Sequence, residues 1–266
     1  MSWITARRRR PAAGYAVVLL GLIAVGVVYA AFTSQGSPAA ASAPPASQQQ
    51  IALGRKIFVQ DCSSCHGLLA QGTTTGPSLI GVGAAAVDFQ VSTGRMPGKD
   101  IAAEMPRKPR VLNTEQTHAV AAYIASLGGG PAIPDASQVS TKGADTGLGQ
   151  QLFTANCSQC HNFVGAGGAL TYGKYAPALT ASTPTQIYEA MLTGSEAMPV
   201  FNDTTITPSE KRDIIAYVTQ TRSVPNPGGL SLGRIGPVTE GLVGWIGGVG
   251  ALVLVALWIT AKRRVH

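Results

Sequence analysis

Two uncharged apolar stretches bracket the chain: residues 12–32 (AAGYAVVLLGLIAVGVVYAAF) and residues 241–261 (GLVGWIGGVGALVLVALWITA). Each has the ~20 residues an α-helix needs to cross a hydrocarbon core, so each is predicted to be a transmembrane helix. The first also has the outline of a secretory signal, with a basic start, an apolar stretch and small residues at Ala30 and Ala31. It is long for the apolar part of a signal, which favours a retained anchor over a cleaved leader. Between the two runs, apolar residues recur at helical spacing in several segments, and the fold class predicted is all-α.

The helical segments fall into two sets, and the sets repeat. The first opens GRKIFVQDCSSCH from Gly54 and the second GQQLFTANCSQCH from Gly149, at a constant offset of 95 residues. Each continues with Pro-x-Leu (Pro77 and Leu79; Pro177 and Leu179), then a Thr-Gly just before a Met-Pro. Each closes with a helical stretch centred on a tyrosine, AVAAYIASL around Tyr123 and DIIAYVTQT around Tyr217. A duplicated domain is the economical reading. The expected organisation is a basic end, apolar helix and tether (1–50), a first domain (51–128), a linker (129–146), a second domain (147–223), and a Pro/Gly-rich lead into the last helix and basic end (224–266). The tether and linker lack periodicity and are rich in Ala, Ser, Pro and Gly.

Charge sharpens the picture of the two ends. The net charge is +7, and seven of the 20 basic residues are Arg7, Arg8, Arg9, Arg10, Lys262, Arg263 and Arg264. The remaining 13 balance all 13 acidic residues, so the interior is neutral. Positive charge confined to the flanks of two apolar helices is a membrane-topology signal, not a polynucleotide-binding surface. It places both termini in the cytoplasm and the middle of the chain outside.

All four cysteines lie in two CxxCH sequences: Cys62, Cys65, His66 and Cys157, Cys160, His161. This is the attachment spacing for haem c. Two thiols three positions apart add to the two vinyl groups of one haem, and the adjacent histidine reaches the iron as fifth ligand. Covalent attachment also secures the cofactor in a domain of only ~75 residues, where a core alone is marginal. Structural zinc normally uses CxxC pairs roughly 15–20 residues apart, whereas these are 95 apart, and neither a dithiol redox motif nor a CxxC disulfide gives the following histidine a role. Two covalently bound haem c groups are therefore expected.

The sixth ligand separates an electron carrier from a haem that does ligand chemistry. In the second domain Met198, in TGSEAMP, is the candidate, and Met191 reads as part of a packed helix face. In the first domain two methionines compete. Met96, in TGRMP, matches the Thr-Gly side of the repeat. Met105, in AEMP, better matches the distance to the closing tyrosine, 18 residues against 19 from Met198 to Tyr217. His118 reads as a solvated helix residue, and Tyr123 and Tyr217 as core residues. Pro77 and Pro177 lie 11 and 16 residues after the haem histidines, where a proline carbonyl could accept from the ligand's N–H.

The segments CSSCHG, GPSLIGVG, VSTGRMP, RKP, AAYIASLGGGP, CSQCHNF and TGSEAMPVF together resemble the dihaem cytochrome c subunit of the actinobacterial cytochrome bc (bcc) complex, a menaquinol–cytochrome c reductase. The resemblance covers nearly all of residues 51–266. It implies two tandem class I cytochrome c domains, with Met96 and Met198 as sixth ligands. It also implies a redox subunit without a quinol site of its own, passing electrons from the Rieske iron–sulfur subunit to a terminal oxidase, alongside cytochrome b. The chain departs from the family by placing a second Met-Pro at Met105 where Gln-Ala-Pro is expected. Rival readings are a dihaem subunit of another oxidase or dehydrogenase, and a dihaem peroxidase with an open haem.

Overall fold

The computed structural model describes residues 11–33, 46–102, 104–224 and 237–263. The arginines at 7–10, Arg264, most of the 33–50 tether and residues 225–236 lie outside it. By itself, the N-terminal unit contributes helix α1 (Pro11–Thr33), in which the described side chains form an apolar stretch, Gly14–Tyr29. The rest of the chain is mostly helical: α2 (Gln48–Asp61), α3 (Ser63–His66), α4 (Gly83–Ser92), α5 (Thr114–Ser126), α6 (Ala136–Val139), α7 (Thr146–Asn156), α8 (Ser158–His161), α9 (Pro184–Thr193), α10 (Pro208–Ser223) and α11 (Pro237–Arg263). Within α11, Gly241–Ala261 is long and apolar enough to cross a membrane, with a mean hydropathy of 2.3 and exposed side chains. One departure from an all-helical expectation is a two-stranded antiparallel ribbon, β1 (Gly168–Ala169) with β2 (Tyr175–Ala176).

The helices start where local chemistry stops the orphan N–H groups of a first turn from going unpaired. Asn113, Thr183 and Thr207 each cap a helix and are answered by the side chain three residues on, Gln116, Gln186 and Glu210. Pro184 and Pro208 follow two of these caps, where a missing N–H costs nothing.

Two hydrophobic cores form, one around α2, α4 and α5 and one around α7, α9 and α10. In each, the opening helix crosses the closing helix at a glycine. A Cβ on Gly54 would overlap the carbonyl oxygen of Ala119, and one on Gly149 the carbonyl oxygen of Asp213. The close approach puts the same aromatic pair together in both cores: Phe58 with Tyr123 at 5.4 Å and 52°, Phe153 with Tyr217 at 5.3 Å and 51°. Both tyrosines are buried, as is Met191. Residues 129–146 pack on both cores, through Ile133 on the first and Val139 on the second, and Gln138 donates to the Tyr188 hydroxyl.

The two halves also touch each other directly. Arg107 donates to Gln186 (2.9 Å) and Ser182 (3.3 Å), and Gln186 in turn donates to Ser92 (3.1 Å). Gln90 donates to Glu196 (3.3 Å), and the backbone N–H of Tyr175 to Glu104 (3.0 Å).

Candidate haem-attachment sites

Each CxxCH is built by the same local device. The helix before it bends at the first cysteine, with φ/ψ of −123°/−30° at Cys62 and −122°/−32° at Cys157. The chain resumes for one turn, in which the carbonyl of Cys62 accepts from the N–H groups of Cys65 (3.2 Å) and His66 (3.0 Å). The carbonyl of Cys157 likewise accepts from Cys160 (3.2 Å) and His161 (2.9 Å). Ser63 and Ser158 each tie this turn back by donating to a carbonyl four residues earlier, Val59 and Thr154, at 2.7 Å in both. Backbone with positive φ then ends the turn, at Gly67 and at Asn162. The loop returns so that Gly72 N–H reaches the His66 carbonyl (2.8 Å) and Gly167 N–H the His161 carbonyl (3.0 Å).

That return brings Pro77 and Pro177 to the histidines. His66 Nδ1 lies 2.8 Å from the Pro77 carbonyl, and His161 Nδ1 lies 3.0 Å from the Pro177 carbonyl. A carbonyl can only accept, so the proton sits on Nδ1 in both rings. Nε2 then carries the lone pair and is the atom free to bind a metal. Burial holds His161 below the usual imidazole range, outweighing the opposing effect of its hydrogen bond to Pro177. The ring is therefore neutral at neutral pH.

The four cysteines are free of disulfides. Burial pushes the Cys62 thiol up to about 11, helped by Asp61 and Cys65, and the Cys157 thiol up to about 12. Among the described residues, no group of three or more His, Cys, Asp or Glu side chains could hold a metal ion. A pair of thiols beside one oriented imidazole, with no further ligand gathered round them among the described residues, is a donor set that fits haem c.

Of the methionines, Met96 packs against the first core together with Cys62, and Met198 against the second core, of which Cys157 is a part. Met105 lies instead over Gly98, where a Cβ would be 3.3 Å from its sulfur. The RKP segment clamps the Met96 loop. Lys108 Nζ donates to the Pro97 carbonyl (2.6 Å) and its backbone N–H to Thr93 (3.3 Å). Arg95 lies over the Phe89 ring at 4.9 Å, with its Nη1 buried and without a hydrogen-bond partner.

His118 is partly exposed on α5, as expected of a solvated helix residue, and also has a partner. Its Nε2 is 3.5 Å from Asp88 Oδ1, and Asp88 is buried. Spacing along α5 could not reveal this, because the carboxylate comes from α4. Glu189, fully buried on α9 and facing the same Asp88, also went unnoticed. The signal available was a lone carboxylate inside the apolar stretch IYEAML.

Comparison with known proteins agrees with this geometry. Residues 51–128 match the family model described as cytochrome c, and residues 144–218 the one described as cytochrome c oxidase, cbb3-type, subunit III. Each match contains one CxxCH, and the cofactors are two c-type haems. The protein named cytochrome bc1 complex cytochrome c subunit in Mycobacterium tuberculosis is 44% identical over 262 residues, covering 96% of this chain and 93% of that one. Its namesake in Corynebacterium diphtheriae is 41% identical, covering 97% and 98%. The one in Mycobacterium leprae is 45% identical, covering 92% and 86%. Full-length likeness at this level, with both CxxCH turns in place, means that the chain belongs to the family of cytochrome bc1 complex cytochrome c subunits.

Proposed function

We propose that this chain is the electron-relay subunit of a quinol–cytochrome c reductase, taking electrons from the Rieske iron–sulfur protein and passing them through its two haems to a terminal oxidase. The observation that carries the reading is the pair of matching CxxCH turns, each with its histidine locked on a proline carbonyl, in a chain similar end to end to bc1 complex subunits. The two cores are read as tandem cytochrome c domains of the class I type. The apolar helices at both ends are read as membrane spans, with the haem domains on the extracytoplasmic side and the termini in the cytoplasm.

Cys62 and Cys65 would hold the first haem, and Cys157 and Cys160 the second, each through two thioether bonds. When bound, each haem supplies reversible one-electron chemistry at its iron. His66 and His161 present Nε2 as fifth ligand, and the Pro77 and Pro177 carbonyls fix the plane of each ring and raise its basicity. Met96 and Met198 are read as sixth ligands. A thioether raises the haem potential and closes the coordination shell, which suits transfer and blocks ligand chemistry. Met96 is favoured over Met105 because it packs on the core that contains Cys62's neighbours, whereas Met105 is held over Gly98. The chain itself binds no quinol and moves no proton in this scheme.

The test is gentle detergent purification through a C-terminal tag, with mass spectrometry of what accompanies the chain. Recovery of a cytochrome b and a Rieske protein in equal amounts is the expected result, and an oxidase with them defines the exit. Recovery of an unrelated dehydrogenase, or of the cbb3-type partners that the second half's family match brings to mind, would remove the assignment.

A further inference from the structure

The contact between the two halves contains a pair of carboxyl groups that ordinary polar seams avoid. Glu189 on α9 is fully buried, and neither of its oxygens has an N–H or O–H donor among the described residues. The group facing it is the carboxyl of Asp88, on α4 of the other half, itself buried and 3.5 Å from His118 Nε2. Two carboxylates in contact, out of water, cannot both be ionised. One proton between them removes the repulsion and gives Glu189 a hydrogen bond to Asp88.

We propose that Glu189 keeps its proton and donates it in a hydrogen bond to Asp88, and that this contact, with the polar seam beside it, holds the two haem-bearing halves in the fixed relation used for electron transfer between the haems. Glu189 is then a positioning residue: it touches neither haem but sets where one lies relative to the other. The inference rests on the reading of both halves as haem domains.

Most other charged groups on the packed elements have partners of their own; Arg95 Nη1 and Arg212 Nε are buried without a hydrogen-bond partner. Across α10, Lys211 bonds Asp203 and the Ile206 carbonyl, and Asp213 accepts from the Asp145 N–H. Below α9, Asp135 is spent capping α6. On the other half, Arg107 holds Gln186 and Ser182, and Arg95 lies over Phe89. Burial first, and Asp88 second, push the Glu189 carboxyl up to about 10.

The sign of the pH dependence follows. When the halves part, Glu189 returns toward the ordinary carboxyl value of about 4.3 and releases its proton to water. Closure therefore takes up one proton across the window between those values. It is favoured at low pH, and its equilibrium constant falls about tenfold for each unit of rising pH until the closed-state value is passed.

The experiment uses the full-length holoprotein in detergent, with gadolinium tags on Arg55→Cys and Gln151→Cys, both exposed positions, one in each half. Tag-to-tag distance is read by pulsed EPR from pH 6 to 9.5, with one-electron equilibration between the haems followed in parallel. A narrow distance giving way to a broad distribution as pH rises, with the interhaem rate falling in step, is expected. Glu189→Gln, which keeps the shape and donates permanently, removes the pH dependence and keeps the narrow distance. Asp88→Asn does the same from the other side, and His118→Gln leaves the dependence intact. A distance that ignores pH, an interhaem rate that stays constant while the distance broadens, or a pH dependence lost with His118 and kept without Glu189 would overturn the proposal. Haem content per chain is measured on the same samples, so a failure of the haem reading shows as missing haem and is separate from a failure of the Glu189–Asp88 contact.

Discussion

Single atoms decide how each haem site is aimed. A histidine whose Nδ1 donates to a backbone carbonyl has one tautomer and one orientation, and both sites achieve this with a proline whose loop differs in length between the copies. The sixth ligand is more exposed to test by substitution. Met96→Leu should abolish the sulfur-to-iron charge-transfer band of the first haem and lower its potential, by a sizeable part of the ~0.8 V that axial ligands can span. Met105→Leu should leave both unchanged. Spectra and redox titration of the two variants check this, and the reverse pattern would exchange the two roles. The CxxCH residues were fully legible in the sequence, because attachment chemistry fixes their spacing. The choice between Met96 and Met105 stayed open there, because the distance to the closing tyrosine is counted across a segment with no counterpart in the second copy: 27 residues separate Met96 from Tyr123, against 19 from Met198 to Tyr217.

At the scale of helices, the repeat was readable because a crossing leaves a mark in sequence. Gly54 and Gly149 sit at equivalent places since backbone meets backbone there, and the Phe–Tyr pairs follow from that contact. Gly54→Ala should separate α2 from α5 and cost ~1–3 kcal/mol or more, as overpacked sites do. The measurement is the thermal or denaturant midpoint of the holoprotein, and an unchanged midpoint would show that the crossing relaxes freely. What sequence could not deliver was the ribbon of β1 and β2 and the packing of residues 129–146. Both segments are short, rich in small residues and without periodicity, so only their tertiary partners determine their conformation. The partner of His118 was hidden for the same reason, Asp88 lying on a different helix.

For the whole molecule, anchoring and the seam are the properties that neither half has alone. On the proposed reading of spans at both ends, a chain truncated before Pro237 should remain in the membrane fraction after carbonate extraction, held by the segment around Gly14–Tyr29. Its release into the soluble fraction would mean that this segment is cleaved as a signal. The seam has its own history written in the places where the two copies differ. The second copy's longer loop between histidine and proline carries the ribbon whose Tyr175 meets Glu104, and the first copy's longer loop after Met96 carries both Glu104 and Arg107. Each half's extra residues are thus answered by the other half's surface. Recombination that exchanged one half for that of a distant relative would pair a loop with a surface it never coevolved with, so the two halves are expected to descend together, as a single heritable unit.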